Sequence, residues 1–117
     1  MNKKVYEKLK EVAKNGTTIT YTDLNRECCL NLDFNNINDR NKISEILGEI
    51  SKHEVKEGRP MLSALVVLKG AIPSAPAYGF YAYAEELGVW DGKGDQKVFF
   101  YRELKRCWEQ WKKKLKA

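Results

Sequence analysis

Apolar residues return with helical spacing at three places along the chain. Val5, Leu9, Val12 and Ala13 fall on one face at intervals of three and four, which predicts a helix over residues 3–14 that Gly16 closes. Thr17-Thr18-Ile19 is β-branched and predicts a short strand. Thr20 with Asp23 three residues on forms a capping box for a second helix to about Cys29, burying Leu24 and Cys28. After a polar loop over 31–36, anchored by Leu32 and Phe34, Asn36 or Asn38 caps a third helix. That helix runs to about His53 with Ile43, Ile46, Leu47 and Ile50 as its stripe.

The second half opens differently. Residues 61–68 form a long apolar run interrupted only by Ser63, β-branched in the middle and bounded by Pro60 and Gly70, which predicts a central strand. Residues 70–77 are rich in Pro, Ala and Ser and predict a loop. Residues 78–81 either return as a second strand or begin a helix, and 82–87 are helical up to Gly88. The last helix spans about 98–115, with Tyr101, Leu104, Trp108, Trp111 and Leu115 as the recurring stripe.

The order helix, strand, helix, helix, strand, loop, strand is that of a winged-helix domain. The expected fold class is therefore α+β, a small winged-helix-like body with an added C-terminal amphipathic helix. The third helix would be the recognition helix and 70–77 the wing. The segment Gly16-Thr17-Thr18-Ile19-Thr20-Tyr21-Thr22-Asp23-Leu24 resembles the one that opens the DNA-binding half of the alkylguanine DNA alkyltransferases. The resemblance spans about residues 5–70. It places 40–50 where that family has its recognition helix and Arg59-Pro60-Met61-Leu62-Ser63 near its Pro-Cys-His-Arg motif. Met61 stands where the nucleophilic cysteine would be, and the following His and Arg are missing. The resemblance implies a DNA-binding layout and not alkyl transfer.

Charge sharpens this picture. The chain has 117 residues, a length that fits one domain, and a net charge of +5. Residues 95–117 hold eight Lys or Arg against three acids, which accounts for the whole excess. A neutral body, 1–94, thus carries a basic helix, 95–117. No apolar run is long enough for a membrane span, and the charged N-terminus lacks an apolar signal core. Three cysteines, two of them adjacent, make a poor disulfide framework, so a reduced cytoplasmic setting is expected.

Candidate chemistry follows from these elements. On the third helix Arg40, Asn41, Lys42, Ser44 and Lys52 could contact phosphates or base edges, although Asp39, Glu45 and Glu49 share that helix. Arg59 could bind a phosphate bidentately or anchor the loop to the third helix. Lys105, Arg106, Lys112 and Lys113, with the lysines beyond, could neutralise phosphates or only favour the helix dipole and solubility. Trp108 and Trp111 could stack bases, or dock the helix onto the core. The aromatic stretch with Tyr78, Phe80, Tyr81 and Tyr83 suits a protein-binding or homodimer surface, or a core edge. His53, Glu54 and Arg59 adjoin, but no nucleophile accompanies them, and the histidine and acids give no metal-ligand spacing. The expectation is a non-enzymatic domain without cofactor or metal. Its partner would be nucleic acid, DNA first, or a DNA-associated protein. The alternative is a protein-interaction module or small regulator of bacterial or phage origin, working through the 78–83 surface.

Overall fold

A computed structural model describes residues 1–70, 76 and 79–112. Among them are five α-helices and one two-stranded parallel sheet: α1 (Lys3–Lys14), β1 (Ile19–Thr20), α2 (Tyr21–Glu27), α3 (Ile37–Lys56), β2 (Val66–Val67), α4 (Phe80–Glu86) and α5 (Gln96–Lys112). The domain is mostly helical. No described helix is long and apolar enough to cross a membrane.

The predicted caps form as hydrogen bonds. The Asn36 side chain accepts from the Asn38 N–H at 2.8 Å and starts α3, and Thr20 Oγ1 accepts from the Asp23 N–H at 3.1 Å and starts α2. Asp95 does the same for α5, taking the Lys97 N–H at 2.8 Å, so that helix begins at Gln96, two residues before the expected start. α2 ends at Glu27, where Cys29 and Asn31 take left-handed backbone angles to turn the chain.

The central run departs most from expectation. Only Val66 and Val67 are strand, and Leu62–Leu65 winds into a 3-10 turn. Residues 61–67 are all buried, so the long apolar run reports burial on every side rather than a strand. The turn packs against α1, α3 and α5, and side chains from α3 and α5 accept from the backbone N–H groups of Ser63 and Met61. A strand partner is not needed there.

The sheet also differs from a winged helix. Ile19 pairs with Val66 and Thr20 with Val67 in parallel, a pairing that needs a crossover connection, here supplied by α2 and α3. Beyond β2 the described residues show one isolated antiparallel bridge, Val67 to Pro76, and no returning strand. The expected wing lies, apart from Gly70 and Pro76, outside the described residues. Residues from Phe80 onward are helix, not a second strand, because Gly79 adopts a left-handed conformation (φ 76°) that turns the chain into α4.

α4 packs on α3 through a glycine. A methyl at Gly48 would overlap the Tyr83 ring, so the bare helix surface is what lets the ring lie flat on α3. Gly48→Ala should therefore lower stability, overlap costing about 1–3 kcal/mol against about 1 kcal/mol of gained helix propensity. In a Tyr83→Ala background the same change should raise stability. A two-by-two set of urea midpoints checks the reversal of sign, and equal signs would refute the contact.

Candidate nucleic-acid interface

The residues expected to contact nucleic acid separate into two groups. On α3, Asn41 and Lys42 are exposed. Arg40 turns back, its Nη1 donating to the Phe34 carbonyl at 3.2 Å, and so holds the preceding loop. Ser44 is half-buried beneath the start of α4, its Oγ only 2.8 Å from where a Cβ on Gly79 would lie. Lys52 borders a groove of about 400 Å³ shared with Glu45, Glu49 and Glu86, an acidic neighbourhood for a phosphate ligand. α4 thus covers part of the helix face that groove reading would need.

The α5 group is better placed. Lys105 and Lys112 are exposed and take part in no ion pair among the described residues. Both approach the turn between α1 and β1. Lys105 shares a shallow groove with Gly16, Thr17, Thr18, Tyr101, Leu104 and Trp108. The Lys112 ammonium sits beside Gly16, whose positive φ of 66° makes the turn. Trp108 fastens helix to turn, its indole N–H donating to the Thr17 carbonyl at 2.9 Å. Arg106 is engaged by the buried Glu103 instead. Lys113 lies outside the described residues.

Of the expected stripe of α5, Leu104 and Trp111 are buried, Tyr101 and Trp108 are not, and Leu115 lies outside the described residues. Phe99, Phe100, Glu103, Leu104, Cys107 and Trp111 face the core, while Tyr101 is 43% exposed. Trp111 docks the helix, as the docking alternative required, and Trp108 lies half-buried at the edge.

Among the described residues the aromatic patch makes internal contacts, with Phe80 buried and Tyr81 and Tyr83 half-buried. Phe80 is buried against Phe99 and Phe100. Tyr81 packs on Phe80 and Trp90 and donates its hydroxyl to the Gln96 carbonyl at 3.2 Å. Tyr83 lies on Gly48, and Tyr78 falls outside the described residues. These rings tie α4 and its following loop to α3 and α5, which removes Phe80 from any docking face.

Arg59, His53 and Glu54 do come together in an internal network, and Arg59 anchors its loop to α3 through the Glu54 carboxylate rather than through carbonyls. The fully buried Glu54 carboxylate accepts from Arg59 Nε at 3.0 Å and Nη2 at 2.8 Å. It also accepts from the Tyr6 hydroxyl at 3.0 Å, with His53 Nε2 3.9 Å away. Arg59 further lies over the Trp111 ring, and Lys10 over Tyr6. The next residues are held by side chains in turn. The Met61 N–H donates to Glu103 Oε2 at 2.9 Å, and the Cys107 thiol donates to the Met61 carbonyl at 3.1 Å. Ser51 Oγ donates to Ser63 Oγ at 2.7 Å and accepts the Ser63 N–H at 3.3 Å. A signal existed: Glu54 continues the Ile43, Leu47, Ile50 spacing, and Glu103 lies between Phe99 and Cys107 at intervals of four.

This network shifts ionisation. Pairing with Glu54 raises the Arg59 guanidinium further above its ordinary value. Burial, then hydrogen bonding to Glu54, raises the Tyr6 phenol. Burial pushes the Cys107 thiol well up and the Cys28 thiol up. Nothing here offers an activated nucleophile. Among the described residues no group of three His, Cys, Asp or Glu could hold a metal ion.

Comparisons with protein-family models, with curated proteins and with solved structures found no match. The surface therefore has to be read from its own chemistry.

Two outcomes follow for the network. Arg59→Ala leaves Glu54 buried without its cation and should cost about 3–5 kcal/mol, whereas Glu54→Gln with Arg59→Met should cost less than Arg59→Ala alone. Urea denaturation of the three variants orders them. Because the folded pKa values of Tyr6 and Cys107 lie above their unfolded ones, their contribution is complete below the unfolded values and fades as pH rises. Stability should fall from about pH 8.5 upward, and Cys107→Ala should flatten that fall in a pH series of melting curves.

Proposed function

We propose that this chain is a non-enzymatic nucleic-acid-binding domain, with DNA as its first ligand, gripping the phosphate backbone through α5 and the α1–β1 turn. One observation carries the reading. The body is electrically neutral and the entire excess of +5 belongs to residues 95–117, where Lys105 and Lys112 stand exposed beside one turn, in no ion pair among the described residues. Exposed lysines on a rigid helix are what displaces counterions from a polyanion. The contact surface moves from the third helix, part of whose face α4 covers, to the last helix. A winged-helix arrangement is not required for this binding mode. Lys42 and Asn41 remain on a separate exposed stretch of α3, so they flank the interface at most.

The reading is tested by fluorescence anisotropy with labelled DNA between about 50 and 200 mM salt. Affinity should fall steeply with salt. Lys105→Glu with Lys112→Glu should weaken binding and reduce the log–log salt slope by about one for each lysine. Lys42→Glu should change little. Absent binding, or binding indifferent to salt and to both lysines, would overturn the proposal.

A further inference from the structure

The exposed side of α5 carries a second pattern. Tyr101, Lys105, Trp108 and Lys112 succeed one another at spacings of four, three and four, so they form a single row along the helix. Aromatic and ammonium groups alternate in that row. Its length is about 16 Å at the helical rise of about 1.5 Å per residue. The row borders a groove of about 620 Å³ whose other wall is Gly16, Thr17 and Thr18. Glu109, an exposed acid of the same helix, lies on another flank with Gly58, Pro60 and Arg106.

We infer that this row binds single-stranded nucleic acid, with Tyr101 as a stacking platform for a base and Lys105 and Lys112 on the flanking phosphates. The inference rests on the proposed function and specifies its ligand. Three features favour an unpaired strand. Tyr101 is one of four exposed large apolar side chains of the described chain, at 43%; it lines the groove, and its ring lies 5.3 Å from that of Phe100. A duplex hides its base faces within the stack and offers phosphates alone to such a row, whereas an open strand offers both. The lysines also argue against a second copy of the chain on this face, because pairing the row with itself would bring Lys105 and Lys112 against like charges.

Trp108 has a positioning role in this arrangement. Its indole is committed to the Thr17 carbonyl, which keeps the turn against the helix and the groove open beside Tyr101. Stacking by Tyr101 tolerates any base, so weak sequence preference is expected.

The test is anisotropy with labelled oligothymidylate, oligouridylate and a hairpin duplex of equal length, at about 50 mM salt, on the full chain. Both single strands should bind at least about tenfold tighter than the duplex, and Tyr101→Ala should weaken them about 5- to 100-fold while Tyr101→Phe restores them. The ratio of the two single strands tells DNA from RNA as the source of the ligand. Duplex binding as tight as single-strand binding, with Tyr101→Ala neutral, overturns this inference and leaves the proposed function standing. No binding of any of the three overturns both. Competition by polyglutamate as effective as by oligonucleotide also overturns the inference, since charge alone would then explain the row. Circular dichroism of each variant verifies that Tyr101→Ala, a change at an exposed site, retains the fold.

Discussion

The structure turns on a carboxylate that has no water to fall back on. Glu54 is fully enclosed, and its charge is balanced by the Arg59 fork five residues later and by the Tyr6 hydroxyl from the first helix. A buried anion with one good partner is costly to orphan and only weakly stabilising when paired. What it provides is geometry. It fixes the exit of α3, and hence where Pro60 and Met61 enter the core. From there Glu103 and Cys107 hold both polar ends of residue 61, and Ser51 holds Ser63. An irregular segment is thereby seated among three helices without a sheet to support it.

That arrangement decides where α5 lies and which of its sides remains outside. Once Glu103, Cys107 and Trp111 point inward, Lys105 and Lys112 must point outward, toward the turn that follows α1. The polarity of the surface is thus a by-product of the internal clamp. The aromatic residues of α4 contribute to the same result from the other side, since Phe80, Tyr81 and Trp90 pack the start of α5 and leave its later turns free.

Much of this could be read from the residues. The helix starts at Asn36 and Thr20 were legible because a cap is a local interaction over two or three residues. The stripe of α1 was legible because one face meets the core squarely. The run at 61–68 was not, because a long apolar run reports burial and is silent about backbone angles. The roles of Glu54 and Glu103 were hidden for another reason. Each is an acid on an apolar stripe, and what makes it tolerable is a partner whose location only the tertiary fold supplies, as with Met61 and Glu103, 42 positions apart. On α5, Leu104 and Trp111 keep to the expected inward face, whereas Tyr101 and Trp108 look like core residues by size alone and are not buried. Of the basic residues singled out in the sequence, Lys105 and Lys112 are exposed, whereas Arg40, Arg59 and Arg106 have internal acceptors that composition does not reveal.

The span of these tethers has a bearing on how the chain is made. Thr17 waits for Trp108, 91 positions downstream, and Met61 waits for Cys107, 46 positions downstream. During synthesis on the ribosome the first three helices would emerge with the central turn unclosed, its apolar side chains open to solvent until the final helix arrives. Folding is then a late, concerted event, slowed by long loop closures. The same helix that completes the core also carries the excess positive charge, so a nascent chain would gain that charge only at the moment it becomes compact.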